Sequence, residues 1–242
     1  MDDPTQPNVR VTLPNGVSLL RAGQVLFDAW EVGSHQWTDW PAQNHALKEG
    51  PASISAPSPA DVRELFRVLQ EHQLPHVLVG GLALLTYIQG RNTKDVNLLM
   101  SVENVRRISE LRVEDENEFF ARGRFRSLQV DFLLTANPLF QTVALRFAAC
   151  HPFAEIQVPT ATVEGIVLLK LYALPSLYRQ FDWARIYIYE GDIKTLLALY
   201  DPDVQPLLDL LAPHLQPGDL GELKKLIAEA RQSQARARHA DA

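Results

Sequence analysis

Apolar residues recur at helical spacing in one early stretch, Val62, Leu65, Phe66 and Leu69, behind Ser58, Pro59 and Asp61. A serine that can cap free amides, a proline at the first helical position and an acid in the first turn predict a helix over 58–72. The spacing then changes. His76-Val77-Leu78-Val79 is a short continuous apolar run behind Pro75, which predicts a buried strand leading straight into Gly80-Gly81 and a helix over 82–88. Further runs predict strands over 95–100, 128–134 and 155–158, with helices over 102–112 and 138–149 between them. From Val163 onward the pattern is helical, over 163–174, 176–188, 193–200, 204–211 and 219–234, punctuated by Pro175, Gly191, Pro202, Pro213 and Pro217-Gly218.

These elements predict an α/β (α+β) unit over 58–160, a mixed sheet with flanking helices, followed by a helical unit over 161–242. A cleft between two such units is a common ligand site. Residues 1–57 form an N-terminal extension, in which Pro14-Asn15-Gly16 between two β-like stretches predicts a hairpin. Three tryptophans (Trp30, Trp37, Trp40) and two histidines (His35, His45) in this extension lack metal-ligand spacing and read as packing residues.

Composition narrows the class. With 242 residues, 46% hydrophobic and 21% charged, the chain can bury a substantial core. The longest apolar runs are broken by charge well short of a membrane span, and the N-terminus is acidic and polar rather than basic then apolar, so a cytoplasmic protein with no membrane partner is expected. The single cysteine, Cys150, can form neither an intrachain disulfide nor a zinc site alone and reads as a buried filler. A net charge of −6 argues against a general nucleic-acid coat. Local basic runs, Arg122, Arg124 and Arg126 and then Lys224, Lys225, Arg231, Arg236 and Arg238, read as solvated faces, with RNA contact as the minority alternative.

Candidate chemistry gathers in the α/β unit. Asp95 and Asn97 stand two apart on one predicted strand and share a face, and Asp131 on another strand can bring a third oxygen donor there. Polar groups in otherwise apolar strands call for a partner, and a hydrated divalent cation is one. Taken singly, Asp95 reads as a turn cap and Asp131 as a strand-edge residue. The order of features adds weight. A strand ending in Gly80-Gly81 lets backbone approach a ligand closely, and the amides that follow can meet a phosphate.

Val79-Gly80-Gly81-Leu82-Ala83-Leu84, followed by Gly90-Arg91-Asn92-Thr93-Lys94-Asp95-Val96-Asn97, resembles the minimal nucleotidyltransferases of the DNA polymerase β superfamily, particularly the AbiEii/AbiGii and MenT-like toxins. That family's pattern is a glycine pair, a helix and Arg-x-Thr/Ser-x-Asp-x-Asp. A second block, Lys170-Leu171-Tyr172-Ala173-Leu174, Arg179, Asp182 and Asp192-Ile193-Lys194-Thr195, is similar to its helical half, so the resemblance covers about 77–200. It implies a nucleotidyltransferase-like fold in which Gly80 and Gly81 cradle the phosphates of an NTP, and in which Mg²⁺, as one or two ions, is held by Asp95, Asn97 and Asp131. Asp95, Asp131 and Lys170 are implied to be catalytic, with Asp131 activating the acceptor hydroxyl or ligating a second ion. Lys170 is aimed at nucleotide phosphate, Arg91 and Thr93 steady the loop, and Asp192 orients Lys170 or supports the nucleotide. Without the resemblance, Asp192 reads as a helix N-cap ahead of Ile193. The implied acceptor is a tRNA 3′ end or a partner protein's side chain, and the implied setting is the toxin of a toxin–antitoxin pair, with a cognate antitoxin as partner.

One position departs from the pattern. Asn97 stands where the family has a second metal-binding aspartate, so one formal negative charge is missing from a site for dications. Two readings follow: an enzyme that transfers a nucleotidyl group to a hydroxyl, and a catalytically reduced nucleotide-binding or interaction protein that retains the fold.

Overall fold

The computed structural model describes residues 59–88, 93, 95–153 and 155–240; the predicted N-terminal hairpin, the three tryptophans, the Ser58 cap and Arg91 lie outside them. Helix α1 (Pro59–Glu71) buries the expected stripe completely, with Val62, Leu65, Phe66 and Leu69 shielded from solvent. Seven strands follow in one mixed sheet: β1 (Val77–Val79), β2 (Asp95–Met100), β3 (Leu111–Glu116), β4 (Phe120–Phe125), β5 (Leu128–Leu134), β6 (Ala148–Phe153) and β7 (Ile156–Ala161). Their spatial order is β3-β4-β5-β2-β1-β7-β6. β2 runs parallel to β5 and β1 parallel to β7, while the other neighbours are antiparallel.

β5 shows why the site faces where it does. Leu128, Val130, Phe132 and Leu134 are buried, and Gln129, Asp131 and Leu133 alternate with them toward the other face. A one-residue slip would bury Gln129 and Asp131, so burial pins the register. The short helices α2 (Gly80–Leu84), α3 (Val102–Val105) and α4 (Pro138–Arg146) connect the strands. Beyond the sheet come α5 (Val163–Arg179), α6 (Trp183–Tyr200), α7 (Gln205–Leu211), a single 3-10 turn (Ala212–His214) and α8 (Pro217–Ala240). Buried apolar residues from Val62 to Ile227 form one connected core under both the sheet and these helices. No helix among the described residues is long and apolar enough to cross a membrane.

Several expected elements are replaced. The helix expected over 102–112 ends at Val105, and Leu111–Glu116 is instead an edge strand paired antiparallel with β4. Its side chains beyond Leu111 are exposed, so no apolar period marked it, and pairing with β4 decides its conformation. β6 takes residues that the 138–149 helix was expected to occupy, because they pair along β7. Pro175 lies inside α5 without ending it, and the break comes at Gln180–Asp182, where Phe181 has φ of 56° and the Asp182 side chain accepts from the Arg185 amide. Gly191 is likewise interior to α6, at a position where a side chain would meet nothing. Cys150 is exposed rather than buried, on the outermost strand β6.

Candidate functional site

The sheet sets the site's frame through its register. Val79 on β1 pairs with Asn97 on β2, Asn97 with Asp131 on β5, and Asp131 with Arg122 on β4, so one row crosses four strands. The adjoining row carries Asp95, Gln129 and Arg124, and the row on the other side carries Leu99, Leu133 and Phe120. Polar chemistry therefore occupies the end of the face near the Gly80 turn, and apolar side chains the other.

Gly80 follows β1 with φ of +69°, a conformation that side chains other than glycine's adopt with strain. A Cβ there would lie 2.8 Å from Asn97 Cβ, Cγ and Nδ2. The asparagine thus packs directly against the glycine backbone. A Cβ at Gly81 would lie 2.6 Å from Thr93 Oγ1, and that hydroxyl donates to the Asp95 carbonyl and to its Oδ1, each at 3.2 Å. The two glycines are the sites where loop and strand close on each other. Both glycines belong to the short helix α2 (Gly80–Leu84), and the expected run over 82–88 gives way to turns beyond Leu84.

Asp131 is held by Arg122. Arg122 Nε donates to Oδ1 at 2.7 Å and Nη2 to Oδ2 at 2.9 Å, a bidentate pair that uses both carboxylate oxygens. The bond to Asp131 raises the Arg122 pKa, with the charge of Asp95 adding in the same direction. Across the site, Lys170 on α5 and Asp192 on α6 form an ion pair at 2.9 Å with both side chains less than a tenth exposed. Lys170 Nζ also sits 4.0 Å above the Tyr189 ring. Burial raises the Tyr189 pKa, Arg185 opposes the shift, and the charges of Asp95 and Asp192 reinforce it.

A cavity of about 650 Å³ separates the sheet face from these helices. Gly80, Asn97, Asp131 and Arg122 line it on the sheet side, with Lys170, Arg179, Arg185 and Tyr189 opposite and Phe120, Leu133, Phe140, Tyr172 and Leu215 at the apolar end. Asp95, Gly81, Thr93 and Asp192 stand outside that lining. Asp192 is not an N-cap but an interior residue of α6, where it pairs with Lys170. Arg122 carried no site role in the sequence; its alternation with Arg124 was the signal, since period two on a strand beside β5 aims it at Asp131. The basic run is internally matched: Arg124 pairs with Glu114, and Arg126 with Glu110 and Glu64.

The donors present are oxygens, which suit Mg²⁺. Among the described residues no three His, Cys, Asp or Glu side chains are grouped to hold a metal ion. With Asn97 neutral and both oxygens of Asp131 on Arg122, Asp95 and the Asn97 amide oxygen would be the donors left on this face for an ion.

No protein-family model and no curated protein matches this chain. Among solved structures, it is similar to an antigenic nucleotidyltransferase-like protein from Paracoccidioides brasiliensis at 16% identity and a TM-score of 0.45, covering 69% of this chain and 91% of that one. It is also similar to ANT(2″)-Ia in complex with adenylyl-2″-tobramycin, at 16% identity and a TM-score of 0.42, covering 71% and 95%. At these values the likenesses do not decide what the chain does, and its own side chains must.

Proposed function

We propose that this chain transfers a nucleotidyl group from a nucleoside triphosphate to a hydroxyl acceptor. The observation that carries the reading is the row from the Gly80 turn through Asn97 and Asp131 to Arg122, facing the buried Lys170–Asp192 pair across one cavity. The order of residues that resembles the minimal nucleotidyltransferases supports it independently.

Each group then has a task. Backbone amides of the Gly80-Gly81 turn meet the β- and γ-phosphates. Asp95 and the Asn97 amide oxygen would hold a Mg²⁺, which would supply positive charge to offset that building on the transferred phosphorus. Lys170 is held in place by Asp192 and lines the cavity, where it balances phosphate. The acceptor oxygen bonds to the α-phosphorus, the bond from that phosphorus to the bridging oxygen breaks, and pyrophosphate leaves with the electron pair. The hydroxyl proton passes to Asp131. The acceptor classes that follow from the resemblance are an RNA 3′ end, in particular that of tRNA, and a protein side chain, with a toxin of a toxin–antitoxin pair as the setting.

A second reading, nucleotide binding without turnover, is favoured by one feature: the site lacks a carboxylate at Asn97, and its Asp131 is engaged by Arg122. The two separate on transfer of label. With α-labelled ATP, GTP, CTP or UTP and Mg²⁺, label enters cellular RNA or protein, and Asp95→Ala abolishes it. Absence of transfer from all four, alongside nucleotide-dependent thermal stabilisation, leaves the binding reading in its place.

A further inference from the structure

We propose that Arg122 is a built-in cation of this site, its guanidinium occupying the role a second divalent ion would have on Asp131, so that a bound nucleotide brings one metal ion rather than two. The inference rests on the nucleotide reading above.

Three observations converge on it. The register places Asn97 and Arg122 on either side of Asp131 in one row, so a neutral amide and a guanidinium flank the same carboxylate. The Arg122–Asp131 contact is bidentate at 2.7 and 2.9 Å, which leaves neither oxygen free of the guanidinium. Arg122 also lines the cavity, the space that the nucleotide reading gives to the phosphates.

Charge counting gives the physical reason. Three carboxylates can balance two dications only in part, and the nucleotide supplies the remainder. With Asn97 in place of one of them, Asp95 and Asp131 offer two negative charges, and Arg122 already offsets one. A second dication at Asp131 would have to displace the half-exposed Arg122 guanidinium or sit beside it and be repelled. A guanidinium is always charged and presents planar paired donors, so it can stabilise phosphate oxygens without depending on metal supply.

The test counts metal ions per bound nucleotide. Mn²⁺ is titrated, by electron paramagnetic resonance, into the full chain saturated with a non-hydrolysable NTP analogue. The expected result is one Mn²⁺ per bound nucleotide in the wild type. Arg122→Gln is expected to weaken analogue binding about tenfold at low Mn²⁺ and to recover it at high Mn²⁺ with a second ion bound. Arg122→Lys, which keeps the charge, stays at one. Two ions per nucleotide in the wild type overturn the proposal, as does an Arg122→Gln protein with unchanged affinity and count. If Arg122→Gln does not fold, the wild-type count and Arg122→Lys still decide. Failure of the wild type to bind any NTP analogue sinks the nucleotide reading itself, which is a different outcome from binding with two ions.

Discussion

Gly80 has no spare volume, because the Asn97 side chain stands 2.8 Å from where its Cβ would be and its φ is +69°. Gly80→Ala is therefore expected to cost about 1–3 kcal/mol of stability, read from urea unfolding, and to displace Asn97. Asn97→Asp restores a carboxylate to the face, and the Mg²⁺ concentration giving half-maximal NTP binding should fall about tenfold. An unchanged or higher requirement would show that Asn97 is no ligand. The buried Lys170–Asp192 pair makes a third prediction. Lys170→Met strands a buried charge and should cost about 3–5 kcal/mol, whereas Lys170→Met with Asp192→Leu should regain most of it. A single variant as stable as wild type would show that the pair is not a structural unit. At this scale the candidates that stood out in the sequence by order and spacing were Gly80, Asp95, Asn97 and Asp131. Arg122 did not, because its meaning comes from a partner strand.

Elements were legible in proportion to how strongly one face is buried. β2 and β5 match their predicted bounds because both are apolar runs interrupted by a few polar residues. β3 was not, since nearly all its side chains face water and only pairing with β4 makes it a strand. That pairing depends on Gly123, where a Cβ would come within 2.7 Å of the Arg112 carbonyl oxygen. Gly123→Ala should push β3 away from β4 and cost about 1–3 kcal/mol by overpacking against backbone, seen as a lower urea midpoint and faster amide exchange along 111–116. In the helices, punctuation misled. Pro175 and Gly191 sit inside α5 and α6, because a helix held by long buried faces tolerates a lost amide bond or a bare solvent-side position.

In the whole molecule, the cavity lies between a sheet face and the helices that follow it, the kind of place the order of elements predicts. Its contents were less legible. The sequence has a net charge of −6, yet Arg122, Lys170, Arg179 and Arg185 all line this one cavity, each beside a carboxylate. Only the folded chain brings Arg122 from β4 to the same space as Arg185 from α6.

Calorimetric titration of ATP, GTP, CTP and UTP, each with Mg²⁺, into the folded full chain tests the central claim most directly. The account predicts that at least one binds at one molecule per chain, and that Asp95→Asn weakens it about tenfold or more. A folded protein that takes up none of the four at millimolar concentration would contradict it.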